Sequence, residues 1–74
     1  MPERQRLLVK RLKEAGQWNV LENVLENVLE TSATLAVFFG VSERTIRRDL
    51  SALQSKGVIR HDGSDKGGRW IILI

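Results

Sequence analysis

Along residues 3–15 the apolar positions Leu8, Leu12 and Ala15 recur at i, i+4 and i+7, with Leu7 beside them. That spacing predicts an amphipathic helix. Pro2 suits its start and Gly16 its stop. Gln17-Trp18-Asn19 reads as a short connector. Residues 19–30 are NVLENVLENVLE, one tetrapeptide in three copies. Four residues of α-helix turn through about 400°, so each copy is rotated about 40° from the last. In a helix, Leu21, Val24, Leu25 and Val28 form an apolar stripe, and Glu22, Glu26 and Glu30 stack on its flank. Like charges at i, i+4 cost about a few tenths of a kcal/mol per pair, which a basic neighbour relieves. The first helix, with Arg6, Lys10 and Arg11, is that neighbour. The two helices are therefore expected to pack together, with Glu26 facing Lys10.

Thr31 or Ser32 offers the next N-cap, ahead of Leu35, Ala36 and Phe39 at helical spacing. Phe38 and Phe39 belong to the core, with one of them partly exposed. Gly40 breaks that helix. Ser42 caps another, and Glu43 suits its positive end. Ile46, Leu50 and Leu53 mark its inward stripe up to about Ser55, and Gly57 lets the chain leave in a left-handed turn. The period then changes. Residues 58–61 and 69–73 are rich in β-branched side chains and flank the turn cluster DGSDKGG, which predicts a hairpin. The chain thus reads as a single domain, 1–74, mainly α with a small β-hairpin. Its helices fall at about 3–15, 19–30, 33–39 and 43–55. Two helices joined by the tight FGVS turn and followed by a hairpin make a winged helix-turn-helix, with an extra helix relative to the usual three.

Composition narrows the chemistry. With no cysteine and one histidine, His61, neither a disulfide framework nor a zinc site is available. No apolar run approaches the length of a membrane span, and the charged N-terminus is no secretory signal, so a cytoplasmic protein is expected. The acids are scattered and no nucleophile has a base beside it, so no enzyme and no cofactor are expected. The net charge of +3 is unevenly spread. Residues 1–18 carry five Lys/Arg against two Glu, residues 19–40 three Glu and no base, and residues 41–74 seven Lys/Arg against four acids. A basic C-terminal half points to a polyanion such as nucleic acid.

The helix after Ser42 explains that charge. With Ile46, Leu50 and Leu53 turned inward, Arg44, Arg47, Arg48 and Ser51 project from the opposite side. A helix fits the B-DNA major groove, and an arginine fork can bond guanine O6 and N7 together or grip a phosphate. Thr45 adds a short polar or methyl contact, and Lys66 and Arg69 on the hairpin are placed to touch the DNA backbone or the neighbouring minor groove. Asp49, repelled by phosphate, is expected to brace an arginine instead. Trp18 and Trp70 are expected in the core or on a strand face.

The segment FFGVSERTIRRDL closely resembles the N-terminal DNA-binding domain of the deoxyribose-operon repressor (DeoR-type) family of bacterial regulators. Leu53, Gly57, Ile59 and Arg60 fall in matching places, and RQRLLVKRLKEAG is similar to the family's first helix. The resemblance implies a winged helix-turn-helix on operator DNA, with the helix from Ser42 as recognition helix and Ser42, Arg44, Thr45, Arg47 and Arg48 facing the DNA. Two departures stand out. The wing carries Asp62 and Asp65, and the region of NVLENVLETSAT is about twelve residues longer than the family pattern. Either it forms an extra helix, or residues 19–30 take the first-helix role and residues 3–15 are the addition. The family's C-terminal sugar-phosphate-sensing domain has no counterpart in these residues, so no small-molecule effector site is expected.

The expected function is sequence-specific binding of double-stranded DNA by a transcriptional regulator, a repressor acting at the nucleoid as a homodimer or higher homo-oligomer. Its candidate dimer surfaces are the first helix, the NVLE helix and the strand Ile71–Ile74. The competing class is a winged-helix protein–protein module with weak, non-specific DNA binding. A single-strand or RNA binder is disfavoured by the scarcity of aromatics.

Overall fold

The computed structural model describes residues 1–63 and 68–73. Three helices and four strands follow in the order α1 (Glu3–Glu14), β1 (Gln17–Asn19), β2 (Val24–Asn27), α2 (Ser32–Phe39), α3 (Glu43–Ser55), β3 (Ile59–Asp62) and β4 (Arg69–Ile72). The strands form one antiparallel sheet in the order β1-β2-β4-β3. This is a winged helix-turn-helix: α2 and α3 with the Gly40–Ser42 turn, then the β3–β4 hairpin.

The largest departure from expectation is the NVLE segment. It forms no helix, so neither an extra helix nor a second candidate for the first-helix role exists, and α1 takes that role. Instead β1 and β2 form a hairpin, with Gln17 opposite Glu26 and Asn19 opposite Val24, and β2 pairs with β4 from Leu25↔Ile72 to Asn27↔Trp70. Asn23 turns the chain at φ 58°, a conformation asparagine tolerates. The physical reason for the strand is twofold. Asn and β-branched Val are weak helix formers, and stacked glutamates weaken the helix further. As a strand, by contrast, β2 pairs the backbone of β4 along Trp70–Ile72, which would otherwise form an apolar edge. The expected facing of Glu26 and Lys10 fails with the helix. Lys10 lies 4.0 Å from Glu14 within α1, and Glu26 bonds Arg69. The third glutamate of the repeat does reach the first helix, since Arg11 donates to Glu30 at 3.0 Å.

The core lies between the helices and one face of the sheet. Leu8 and Leu12 of α1, Leu35 and Ala36 of α2, Ile46, Leu50 and Leu53 of α3, and Ile59 and Ile72 of the sheet are its main members. In α1 the buried stripe is Gln5, Leu8, Val9 and Leu12, so Leu7 turns outward and Ala15 is only half-buried. Phe39 packs at the core margin while Phe38 stays exposed beneath the Arg11 guanidinium, 4.3 Å from its ring centre. Trp18 is exposed on β1, and Trp70 is half-buried on β4.

Two junctions set the geometry. Gly16 joins α1 to β1, and a Cβ there would lie 2.8 Å from the Leu12 carbonyl and 3.0 Å from that of Glu26. Its role is therefore close approach of backbone. Asn27, 1 % exposed, closes the other side of the hairpin. Its Nδ2 donates to the Leu12 carbonyl at 3.1 Å, and its Oδ1 accepts from the backbone of Leu29 and Glu30 at 3.0 and 2.9 Å. One side chain thus ties the end of α1 to the loop leading into α2.

Candidate nucleic-acid interface

The turn before α3 is built by local chemistry. Thr31 caps α2 in a reciprocal box, accepting from the Thr34 backbone at 3.2 Å while the Thr34 hydroxyl accepts from the Thr31 backbone at 2.8 Å. Gly40 ends α2 in the left-handed region, φ 67° and ψ 35°, which lets Val41 bond back to the Ala36 carbonyl at 3.1 Å. Ser42 then starts α3, its hydroxyl accepting from the Thr45 backbone at 3.2 Å and lying 2.9 Å from the Thr45 hydroxyl. Ser42 and Thr45 are therefore partners of each other at the helix start.

Ile46, Leu50 and Leu53 seat α3 on the core. At about 100° per residue, Arg47, Ser51, Arg44 and Arg48 then share an arc of about 100° on the far side. All four are exposed, and none of the three arginines is paired with an acid among the described residues. Asp49, the acid embedded in the RRDL run, is buried and turned away from this arc. It bonds Arg4 of α1 and accepts from Gln5 Nε2 at 3.4 Å, while Gln5 Oε1 accepts from Lys56 at 2.7 Å. The Asp49 carboxylate holds the Arg4 guanidinium above its ordinary range, chiefly through their hydrogen bond. The arginine it braces is thus on α1, and the network ties the first turn of α1 to the middle and the C-terminal end of α3.

Beside α3 runs an open groove of about 870 Å³. Arg47, Leu50 and Gln54 line its helical wall, Ser32 and Ala33 lie at the start of α2, and Trp70 forms part of the opposite wall with His61. The two rings meet edge to face, 4.6 Å between centres.

The wing contributes differently from expectation. Lys66 lies outside the described residues. Arg69 is not presented as a free cation. It makes two bonds to Glu22, at 2.6 and 2.8 Å, two to Asp62, at 3.0 and 3.3 Å, and a fifth to Glu26. Its guanidinium is held well above its ordinary range, first by Glu22, then by Asp62 and Glu26, and Glu22 is held below the usual carboxylate range by the same contact. The structure therefore gathers Arg44, Thr45, Arg47, Arg48 and Ser51 on α3, with Ser42 at its N-cap, and sets Arg69 apart as the centre of an ion-pair cluster. Among the residues that sequence patterns missed, Gln5 left a signal: a polar side chain sharing the i, i+3, i+4, i+7 stripe of Leu8, Val9 and Leu12. Asn27 left none, because its repeat copies Asn19 and Asn23 are chemically identical to it.

The family model for the DeoR-like helix-turn-helix domain matches residues 4–65. The chain belongs to the DeoR-like helix-turn-helix family. The match runs from α1 through the β1–β2 hairpin and the helix-turn-helix into the wing. No curated protein and no solved structure shows a significant match. As a DeoR-like helix-turn-helix protein it is a DNA-binding transcription regulator. Among the described residues of this DeoR-like domain, no helix is long and apolar enough to cross a membrane.

Proposed function

We propose that this protein binds double-stranded DNA sequence-specifically, with α3 in the major groove, and represses transcription from the sites it occupies on the nucleoid. The observation that carries this reading is the arc of Arg44, Arg47, Arg48 and Ser51, exposed and without acidic partners among the described residues, on a helix otherwise locked to the core. An anion-binding face kept clear of carboxylates suits a phosphate-rich partner, and arginine at a helix start suits guanine. Ser42 and Thr45 add short contacts at the same end. Arg69 is left out of the contact set, because leaving three carboxylates for one phosphate is unfavourable.

The test is enrichment of a random duplex library by the protein at physiological salt, repeated with Arg47→Ala. A guanine-containing motif that blurs at one position in the variant is the expected result, with a loss of roughly 1–3 kcal/mol on the best duplex. A pool without any motif, released uniformly on raising the salt, would sink specific readout and leave backbone contact alone. The protein–protein module would then be the better account.

A further inference from the structure

The β1–β2 hairpin has an open side. Among the described residues β1 pairs only with β2, so its outer edge is one of the two edges of the sheet. The other edge, β3, carries Arg60 and Asp62, charges of the kind that discourage edge pairing. β1 is Gln-Trp-Asn, with no charge, no proline and no bulge. Trp18 within it and Val20 and Leu21 just beyond it are 57, 79 and 98 % exposed. An uncharged edge flanked by apolar side chains is a site for strand addition.

The register says what fits. The Asn19 carbonyl accepts from the Asn23 backbone at 2.8 Å, so Asn19 faces inward across its own hairpin. Backbone groups alternate along a strand, so the N–H and C=O of Trp18 point out from the edge. Two antiparallel copies of β1 centred on Trp18 then exchange two hydrogen bonds about a two-fold axis, an isologous contact. In that register the Val20-Leu21 tip of one copy meets the Ala15-Gly16 end of the other. A small pocket of about 80 Å³ lies at that end, lined by Ala15, Gln17, Glu26, Val28 and Leu29.

We propose that β1 is the seam of a homodimer, in which two sheets join edge to edge into one of eight strands. Resting on the recognition-helix reading above, the geometry has a direct consequence for DNA. From β3 of one copy to β3 of the other there are seven strand steps. At about 4.8 Å each they span about 34 Å. α3 packs beside β3, and the two-fold carries both helices to one side of the joined sheet. About 34 Å is one turn of B-DNA, the separation of two successive major grooves on one face.

Light scattering on the eluting protein tests the seam. At high micromolar concentration the wild type is expected at twice 8.4 kDa. Val20→Lys places two cations at the seam on an already exposed side chain, and should weaken the dimer about tenfold or more, given that about 1.4 kcal/mol suffices for that factor. Trp18→Pro removes the outward N–H without touching the bonds to β2 and should do the same. At concentrations low enough for the wild type to be monomeric, both variants should keep its melting temperature and its single half-site affinity. Only the wild type should bind cooperatively to paired half-sites one turn apart. A wild-type mass of 8.4 kDa with no cooperativity at any spacing overturns the seam and leaves half-site recognition standing. A dimer that survives both substitutions overturns it as well, placing the contact elsewhere. A doubled mass sensitive to Val20→Lys, with no duplex binding at all, supports the seam and sinks the recognition reading.

Discussion

Three side chains show how much a single residue can decide here. Asn27 satisfies the Leu12 carbonyl and two loop N–H groups at once. Asn27→Ala leaves these groups unmatched and should destabilise the fold by roughly 1–3 kcal/mol in urea unfolding. Asp49 is kept from the exposed arginine arc of α3 by Arg4 and Gln5, which turns an acid in an arginine-rich run into an anchor. Glu22 is a pH-sensitive partner of Arg69. Its carboxyl is held below its ordinary value of 4.5, first by hydrogen bonding to Arg69. A depressed carboxylate stabilises the fold above its unfolded value and loses that contribution as pH falls through its folded value. Stability should therefore decline on acidification below about pH 4.5, and Glu22→Gln should flatten that part of the decline. Thermal melts across the acidic range, wild type against variant, read the difference. An unchanged profile in Glu22→Gln would mean that Glu26 and Asp62 hold Arg69 unaided.

At the scale of elements, α3 and the NVLE segment make an instructive pair. α3 is amphipathic in a way no alternative structure shares, with Ile46, Leu50 and Leu53 inward, a serine cap and a glycine-closed turn before it. Its place was legible because local propensity and burial agree. The NVLE repeat carries a period of four, which a helix accommodates with a slow drift and a strand accommodates with every copy on the same face. Pattern alone could not separate the two. Pairing with β4 decided it, and that strand lies over forty residues away in the chain. The close junction at Gly16 follows from bringing β2 against the end of α1. Gly16→Ala forces backbone apart at Leu12 and Glu26 and should destabilise the domain by roughly 1–3 kcal/mol, as overpacking does. A substitution to alanine at Gln17, on the exposed strand beside it, is the matched control.

On the whole molecule, charge is sorted by the fold. The three glutamates of residues 19–40 pair with Arg69 and Arg11, at the sheet and on α1. That leaves the three arginines of α3 without acidic partners among the described residues. Binding of any duplex should weaken linearly in log salt, with a slope of about 0.9 for each phosphate that the protein neutralises. Arg44→Ala or Arg48→Ala should therefore make the slope shallower by about that amount if the residue meets a phosphate. Fluorescence anisotropy across a salt series measures it, and an unchanged slope would place the residue off the backbone.

The sequence by itself determined the helix-turn-helix, its caps, the inward stripe of α3 and the family to which the chain belongs. These rest on contacts within a few residues, where periodicity and capping chemistry suffice. The tertiary structure alone decided that the NVLE repeat joins a hairpin over Gln17–Asn27, that Arg69 is ion-paired, that Gln5 and Asn27 are buried, and that β1 leaves an open edge among the described residues. Each of these depends on a partner far along the chain, and a local pattern carries no information about which distant group will satisfy a backbone edge or a charge.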